Sequence, residues 1–99
     1  MSLEQNKVYT FKLGSGEELV AKFIEEEGQY LTIANPVSVA PSQKGMQLIP
    51  SLFTVDPDTL VTLNTNSVSL YAVTDDSVMM KYVEMTTGIQ LPDKQILVG

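Results

Sequence analysis

Apolar and polar residues alternate through the first third of the chain, from Lys7 to Val39. Tyr9, Phe11 and Leu13 fall on one face of a first segment, and such a period of two is typical of a half-buried strand. We therefore expect these three side chains to face the core. The same pattern predicts three consecutive strands, over residues 8–13, 18–24 and 30–34.

Two short turns join these strands. Gly14-Ser15-Gly16 and Glu27-Gly28 both contain glycine, which supplies the backbone freedom that tight hairpins need. A strand follows the first turn, so no helix N-terminus is present there to bind phosphate. The second strand carries apolar side chains on both faces, which predicts that a helix or a neighbouring subunit covers one of them.

Prolines divide the middle of the chain. Asn35-Pro36 is expected to interrupt the third strand, and residues 41–45 are expected to close a longer hairpin. Residues 46–49 then return as a strand, and Asp56-Pro57-Asp58 is the clearest linker.

A polar tetrad, Asn64-Thr65-Asn66-Ser67, follows the linker. It is flanked by apolar runs over residues 60–63 and 68–73, which predicts a further unit of strand, tight turn and strand. The tetrad can serve as a plain Asx-rich turn, or its hydrogen-bonding groups can contact the edges of nucleic-acid bases.

The hydrophobic period becomes helical after Val73. The pattern predicts an amphipathic helix over residues 75–87, capped by Thr74 or Asp75 and ended by Gly88, with a tail over residues 88–99. The side chains expected to face the core are those of Val78, Met79, Tyr82 and Val83. Met80 and Met85 lie off that stripe and are available for an interface.

The composition limits the chemistry of the chain. Its 99 residues suit one domain, 1–99, with a barrel over 7–73 and the helix and tail after it. The chain has no cysteine and no histidine, which removes the usual zinc ligands and every nucleophile that depends on histidine. An enzyme would have to work with carboxylates, lysine or tyrosine, and this alternative ranks third because no convergent pair of carboxylates supports it. We therefore expect no enzyme activity, no metal and no cofactor.

The chain is acidic, with six lysines, no arginine and a net charge of -6. This charge disfavours binding to duplex DNA, because phosphate neutralisation supplies most non-specific affinity. The sequence contains neither an apolar run long enough to span a membrane nor a recognisable secretory signal. We expect no membrane partner and a cytoplasmic location.

Three groups of carboxylates could be read as cation or acid-base sites. Glu25-Glu26-Glu27 is expected to be a solvated turn, because adjacent strand residues point to alternate faces and cannot converge. Asp56 and Asp58, like Asp75 and Asp76, are expected to serve in a turn and a cap.

Together these elements resemble the Sm and LSm (Sm-like) family, over residues 7 to about 73. Val8 to Gly16 resembles the family's opening strand and glycine turn, and Glu17 to Asn35 its long second and third strands. Leu63 to Val68 resembles the turn of its second motif. The arrangement is also similar to small Sm-like proteins of marine cyanophages, whose C-terminal helix resembles residues 75–87.

The resemblance implies a mainly β fold: a small, strongly bent, five-stranded open barrel with a short C-terminal α-helix. It further implies a homo-oligomeric ring of five to seven subunits that binds single-stranded RNA, or single-stranded DNA, in RNA or DNA processing. For a phage-encoded protein the location is the host cytoplasm. In the family's first motif an Asp and an Asn bind RNA, and their nearest matches here are Glu25 or Glu26, and Gln29. The nucleic-acid-binding residues implied are Gln29, Tyr30, Asn64, Thr65 and Asn66.

The net charge and the absence of arginine favour an alternative within the same fold. In that alternative the ring has lost RNA binding and acts as a scaffold for protein interactions.

Overall fold

The computed structural model describes residues 1–87, which form six antiparallel strands and one helix. The elements are β1 (Val8–Leu13), β2 (Glu18–Glu27), β3 (Tyr30–Ser42), β4 (Gly45–Pro50), β5 (Val61–Asn64), β6 (Val68–Val73) and α1 (Asp76–Thr87), with one 3₁₀ turn (Thr65–Ser67) between β5 and β6. The predicted mainly β class with a C-terminal helix is confirmed, but the strands number six and not five. No helix within residues 1–87 combines the length and the apolar composition needed to cross a bilayer.

The strands form one open sheet in the order β4-β3-β2-β1-β6, and β5 also pairs with β3. β4 and β5 share the edge of β3 that faces away from β2: Val37 pairs with Pro50 of β4, and Ile33 pairs with Val61 of β5. One end of the sheet is therefore β6, and the other end is formed by β4 and β5.

β2 and β3 are irregular along their length. The pairing of β2 shifts register between Val20 and Lys22 and again between Phe23 and Glu25. In β3, Asn35 has a positive φ of 49°. Such irregularities bend a strand and increase its twist, so β2 and β3 curve the sheet.

The predicted interruption at Asn35-Pro36 is wrong, because β3 continues through both residues. Pro36 lies between the segment of β3 that pairs with β5 and the segment that pairs with β4. A missing N–H is tolerated at such an irregular position. The Pro36 carbonyl accepts from the Ser51 amide (3.1 Å), and the Asn35 side chain donates to the Pro57 carbonyl (2.9 Å), which holds the loop over residues 51–60 against β3.

Two predicted turns are also shorter than expected. Glu25, Glu26 and Glu27 lie in β2 and not in a turn, although all three are exposed, and the turn itself is Gly28-Gln29. Residues 41 and 42 belong to β3, so only residues 43 and 44 connect it to β4. Gly28 and Gly45 adopt positive φ values of 61° and 115°, which glycine reaches without strain.

The predicted unit of strand, tight turn and strand at residues 60–73 is confirmed as β5, the 3₁₀ turn and β6, and its two strands do not pair with each other. β5 pairs with β3, and β6 pairs with β1. The 3₁₀ turn thus carries the chain from one edge of the curved sheet to the other. The alternation of apolar residues located both strands, but it contains no information about their partners.

The core is divided between the two faces of the sheet. The larger cluster includes Tyr9 and Phe11, as predicted, with Leu13 half-buried against it. The smaller cluster joins side chains of three strands to the helix; its members are Val8, Val20, Val37 and Tyr82. The prediction that a helix or a subunit covers the second face of β2 is confirmed for the helix.

Helix α1 begins at Asp76, one residue after the predicted start. The Asp75 carboxylate caps it by accepting from the Ser77 amide (3.1 Å) and the Ser77 hydroxyl (2.5 Å), and these bonds lower the pKa of Asp75. Tyr82 is buried as predicted, whereas Val83 is exposed, so its assignment to the core face is wrong. The predicted helix end at Gly88 and the tail over residues 88–99 lie outside the described residues.

Tyr82 fixes the helix to the bend in β3. Its hydroxyl donates to the carbonyls of Ala34 (3.0 Å) and Asn35 (2.9 Å). Burial raises the pKa of this hydroxyl to about 12, from its ordinary value of 10.0. The bonds require the protonated form, so loss of the proton removes both of them.

This pKa predicts an alkaline loss of stability. The unfolded chain releases the Tyr82 proton near pH 10 and the folded chain near pH 12, so the stabilisation is complete below pH 10 and lost between pH 10 and 12. Over this range we expect the unfolding free energy of the wild type to fall by about 1 to 2 kcal/mol more than that of Tyr82→Phe. Urea unfolding at several pH values measures both. Parallel curves would contradict the proposed role of the hydroxyl.

Candidate nucleic-acid interface

The five predicted site residues come from two separate segments that meet at one corner of the sheet. Gln29 ends the turn between β2 and β3, and Tyr30 begins β3. Asn64 ends β5 directly opposite Tyr30 in the pairing of β3 with β5, and Thr65 and Asn66 follow in the 3₁₀ turn. Tyr30 and Asn64, 34 positions apart in sequence, are thus neighbours.

Hydrogen bonds fix this corner from both sides. The amide and the hydroxyl of Thr65 both donate to the Gln29 carbonyl, each at 2.8 Å. The Asn64 side chain accepts from the Asn66 amide at 2.9 Å and so caps the 3₁₀ turn. At the far end of that turn, the Ser67 carbonyl accepts from the Gly14 amide at 2.7 Å. The corner is therefore joined to both hairpin turns of the opening meander.

The five residues divide into two structural roles. The side chains of Asn64 and Thr65 are engaged in the bonds that shape the corner. The side chains of Gln29, Tyr30 and Asn66 are exposed and make no hydrogen bond within residues 1–87. These three present two amides and one aromatic ring, 47% exposed, to a ligand.

The corner is acidic. Glu27 is paired with Tyr30 across β2 and β3, and Glu25 and Glu26 precede it in β2. None of the five site residues is basic. Within residues 1–87 no group of three or more acidic side chains is placed to hold a metal ion. Stacking and amide hydrogen bonds are therefore the interactions that the corner can offer to a base.

Two apolar surfaces elsewhere were not found from the sequence. The first is the β6 edge, formed by Leu70, Tyr71 and Val73, which are 67%, 41% and 55% exposed. β6 pairs only with β1, so its other edge has no partner among the described residues. The sequence feature that could have indicated this edge is the nearly uninterrupted apolar run of residues 68–73, which is unusual for a strand with one solvent-exposed face.

The second surface is a hollow of about 380 Å³ beside the end of β4. It lies between the bend in β3, the loop over residues 51–60 and the end of α1. Its lining includes Pro36, Pro50, Leu52, Phe53, Val55 and Met85. Phe53 is 77% exposed. The loop over residues 51–60 has no periodic pattern, so only its apolar residues next to Asp56-Pro57-Asp58 could have indicated the hollow.

Comparison with known families does not identify a family for this chain. No family model matches the chain, and no curated protein shows significant sequence similarity to it.

Proposed function

We propose that this protein is the subunit of an Sm-like homo-oligomeric ring of five to seven copies, and that the ring binds single-stranded RNA or DNA at the corner described above. The observation that carries the proposal is the convergence of Gln29, Tyr30 and Asn64 to Asn66 on one exposed corner. In a ring this corner would be repeated once per subunit.

Support for assembly comes from the ends of the sheet. β6 and β4 each pair with a single strand, so each leaves one row of backbone N–H and C=O groups without a strand partner among the described residues. Exposed strand edges with apolar side chains favour pairing with another chain. An open sheet with two such ends suits repeated edge-to-edge association.

Support for base recognition comes from the free side chains. An exposed aromatic ring can stack on any base, with about 1 to 3 kcal/mol per base by alanine substitution. The side-chain amides of Gln29 and Asn66 can donate to and accept from a base edge. The glutamates of β2 repel phosphate, so we expect affinity to come from stacking and not from charge neutralisation.

A titration with fluorescent oligouridylate and oligothymidylate tests this assignment. Tyr30→Ala is expected to weaken binding by about 5- to 100-fold, because the stacking surface is lost, whereas Tyr30→Phe keeps it. Asn66→Ala is expected to weaken binding by about fivefold, from one lost hydrogen bond. Fluorescence anisotropy measures each dissociation constant.

Gln43→Ala is the matched control, because Gln43 is an exposed amide in a different two-residue turn. It is expected to bind like the wild type. Equal affinities for Tyr30→Ala and wild type would contradict a site at this corner.

One observation favours a second candidate, a protein-interaction scaffold ring without nucleic-acid binding. The three consecutive glutamates beside the corner oppose any polyanion. An assembled wild type that binds neither oligonucleotide, even at low salt, would select this candidate.

A further inference from the structure

The hollow beside the end of β4 leaves several large apolar side chains in contact with water. Leu52, Phe53 and Val55 all line it and are all exposed. They are three of four consecutive residues in one loop, and an exposed cluster of this kind marks a surface that is covered by another group. Covering it gains about 25 cal/mol for each Å² of apolar area removed from water.

The walls of the hollow are fixed by their own hydrogen bonds. The Asn35 side chain donates to the Pro57 carbonyl at 2.9 Å. The Asp56 carboxylate accepts from the Asp58 amide at 2.8 Å, and the Asp56 carbonyl accepts from the Thr59 amide at 2.9 Å. These bonds hold the loop in place, so an occupant binds to a preformed surface and contributes apolar side chains.

The end of α1 leads the chain to this hollow. Met85 and Thr86, in the last turn of the helix, are part of its lining, and α1 ends at Thr87. The next four residues span up to about 14 Å, so residues 89–91 can reach the hollow. A segment tethered this closely has an effective concentration of about millimolar, which favours it over an untethered partner.

The sequence after the helix suits an apolar hollow. Gly88 is the residue type that most often follows the last helical residue. Ile89 and Leu91 alternate with Gln90, so an extended backbone would place both apolar side chains on one face and the amide on the other. Leu91 precedes Pro92, and a residue before proline is restricted to extended conformations. The sequence thus predicts a short extended segment with one apolar face.

We propose that the hollow is the docking site of residues 89–91 of the same chain, with Ile89 and Leu91 placed against Phe53 and Met85. The docked segment ties the end of α1 to the loop over residues 51–60 and closes the hollow to other ligands. The proposal depends neither on the ring nor on nucleic-acid binding.

Paired cysteines in the full chain test the docking. The chain has no cysteine, so only the engineered residues react. Leu91→Cys is combined with Val55→Cys or with Thr59→Cys, two exposed positions of the lining. A disulfide needs Cβ atoms within about 4.5 Å of each other, so at least one pair is expected to oxidise at least about tenfold faster than a control pair. Non-reducing gel electrophoresis and mass spectrometry measure the rates.

Leu91→Cys with Val83→Cys is the control pair. Val83 is 38% exposed and Val55 is 37% exposed, but Val83 lies outside the lining and is closer to Leu91 in sequence. A segment that does not dock would therefore react with position 83 at least as fast. Equal rates for the control pair and both test pairs would overturn the proposal. Disulfides between chains would show that the segment enters the hollow of another copy, and would overturn docking within one chain.

Leu91→Asp tests the apolar contact itself. It is expected to lower the melting temperature by about 4 °C or more, because a carboxylate cannot replace a leucine in an apolar hollow. Ile96→Asp makes the same kind of change outside residues 89–91 and is expected to melt within about 1 °C of the wild type. Equal melting temperatures for Leu91→Asp and wild type would overturn the proposal. The oligonucleotide titration of Tyr30→Ala tests the proposed function separately, so either can fail alone.

Discussion

Tyr82→Ala is expected to lower the free energy of unfolding by about 3 to 5 kcal/mol. The ring of Tyr82 is 2% exposed and packs against Val8, Val20 and Val37, so its removal leaves a cavity between α1 and the sheet. Two backbone carbonyls at the bend of β3 also lose their hydroxyl donor. Urea unfolding followed by circular dichroism, at one protein concentration, measures the change.

Two variants separate the contributions of the ring and the hydroxyl. Tyr82→Phe keeps the ring and is expected to lower the unfolding free energy by about 1 to 2 kcal/mol. Tyr30→Ala removes a half-exposed ring outside the two core clusters and is expected to change it by less than about 0.5 kcal/mol. Similar losses for Tyr82→Ala and Tyr30→Ala would contradict the role of Tyr82 as the anchor of the helix.

Local periodicity predicted those parts of the fold in which one face of an element meets the core. The period of two placed Tyr9 and Phe11 inside, and the helical period placed Tyr82 inside. These assignments succeed because burial of a strand or helix face imposes a pattern that the sequence must carry.

Strand pairing could not be predicted in the same way. β5 and β6 were located, but the sequence did not indicate their partners β3 and β1, which are distant in sequence. Pro36 was expected to break a strand, and it instead occupies the place where β3 changes its partner from β5 to β4. The partners of a strand depend on tertiary context, which local patterns do not contain.

The candidate site was predicted only in part, again because local patterns do not contain tertiary context. The resemblance to Sm-like proteins brought Gln29 and Asn64 together, and the structure places them at one corner. Some side chains of the site shape the corner, and others are exposed to a ligand. Hydrogen bonds such as that of Thr65 to Gln29 decide which, and no sequence pattern specifies them. The apolar hollow depended on how an irregular loop packs and so required the structure.

Leu70→Glu is expected to prevent assembly, raising the dissociation constant between subunits at least about 100-fold. Leu70 is 67% exposed on the unpaired β6 edge, so a glutamate there is hydrated in the isolated subunit. At an interface formed by that edge the same carboxylate would lose its water, and attraction to the neighbouring Lys12 does not offset the cost of desolvating both charges. The wild type is therefore expected to sediment as one large oligomer at about 100 µM, and the variant as a monomer.

Leu60→Glu is the matched control for this experiment. Leu60 is also an exposed leucine, at 55%, but it lies neither on β6 nor in the lining of the hollow. It receives the same charge, so general repulsion between acidic subunits affects both variants equally. Assembly that survives Leu60→Glu and fails in Leu70→Glu would identify β6 as the edge used. Equal assembly of both variants would show that the subunits associate through another surface, because burial of a new carboxylate at the β6 edge would weaken an interface formed there.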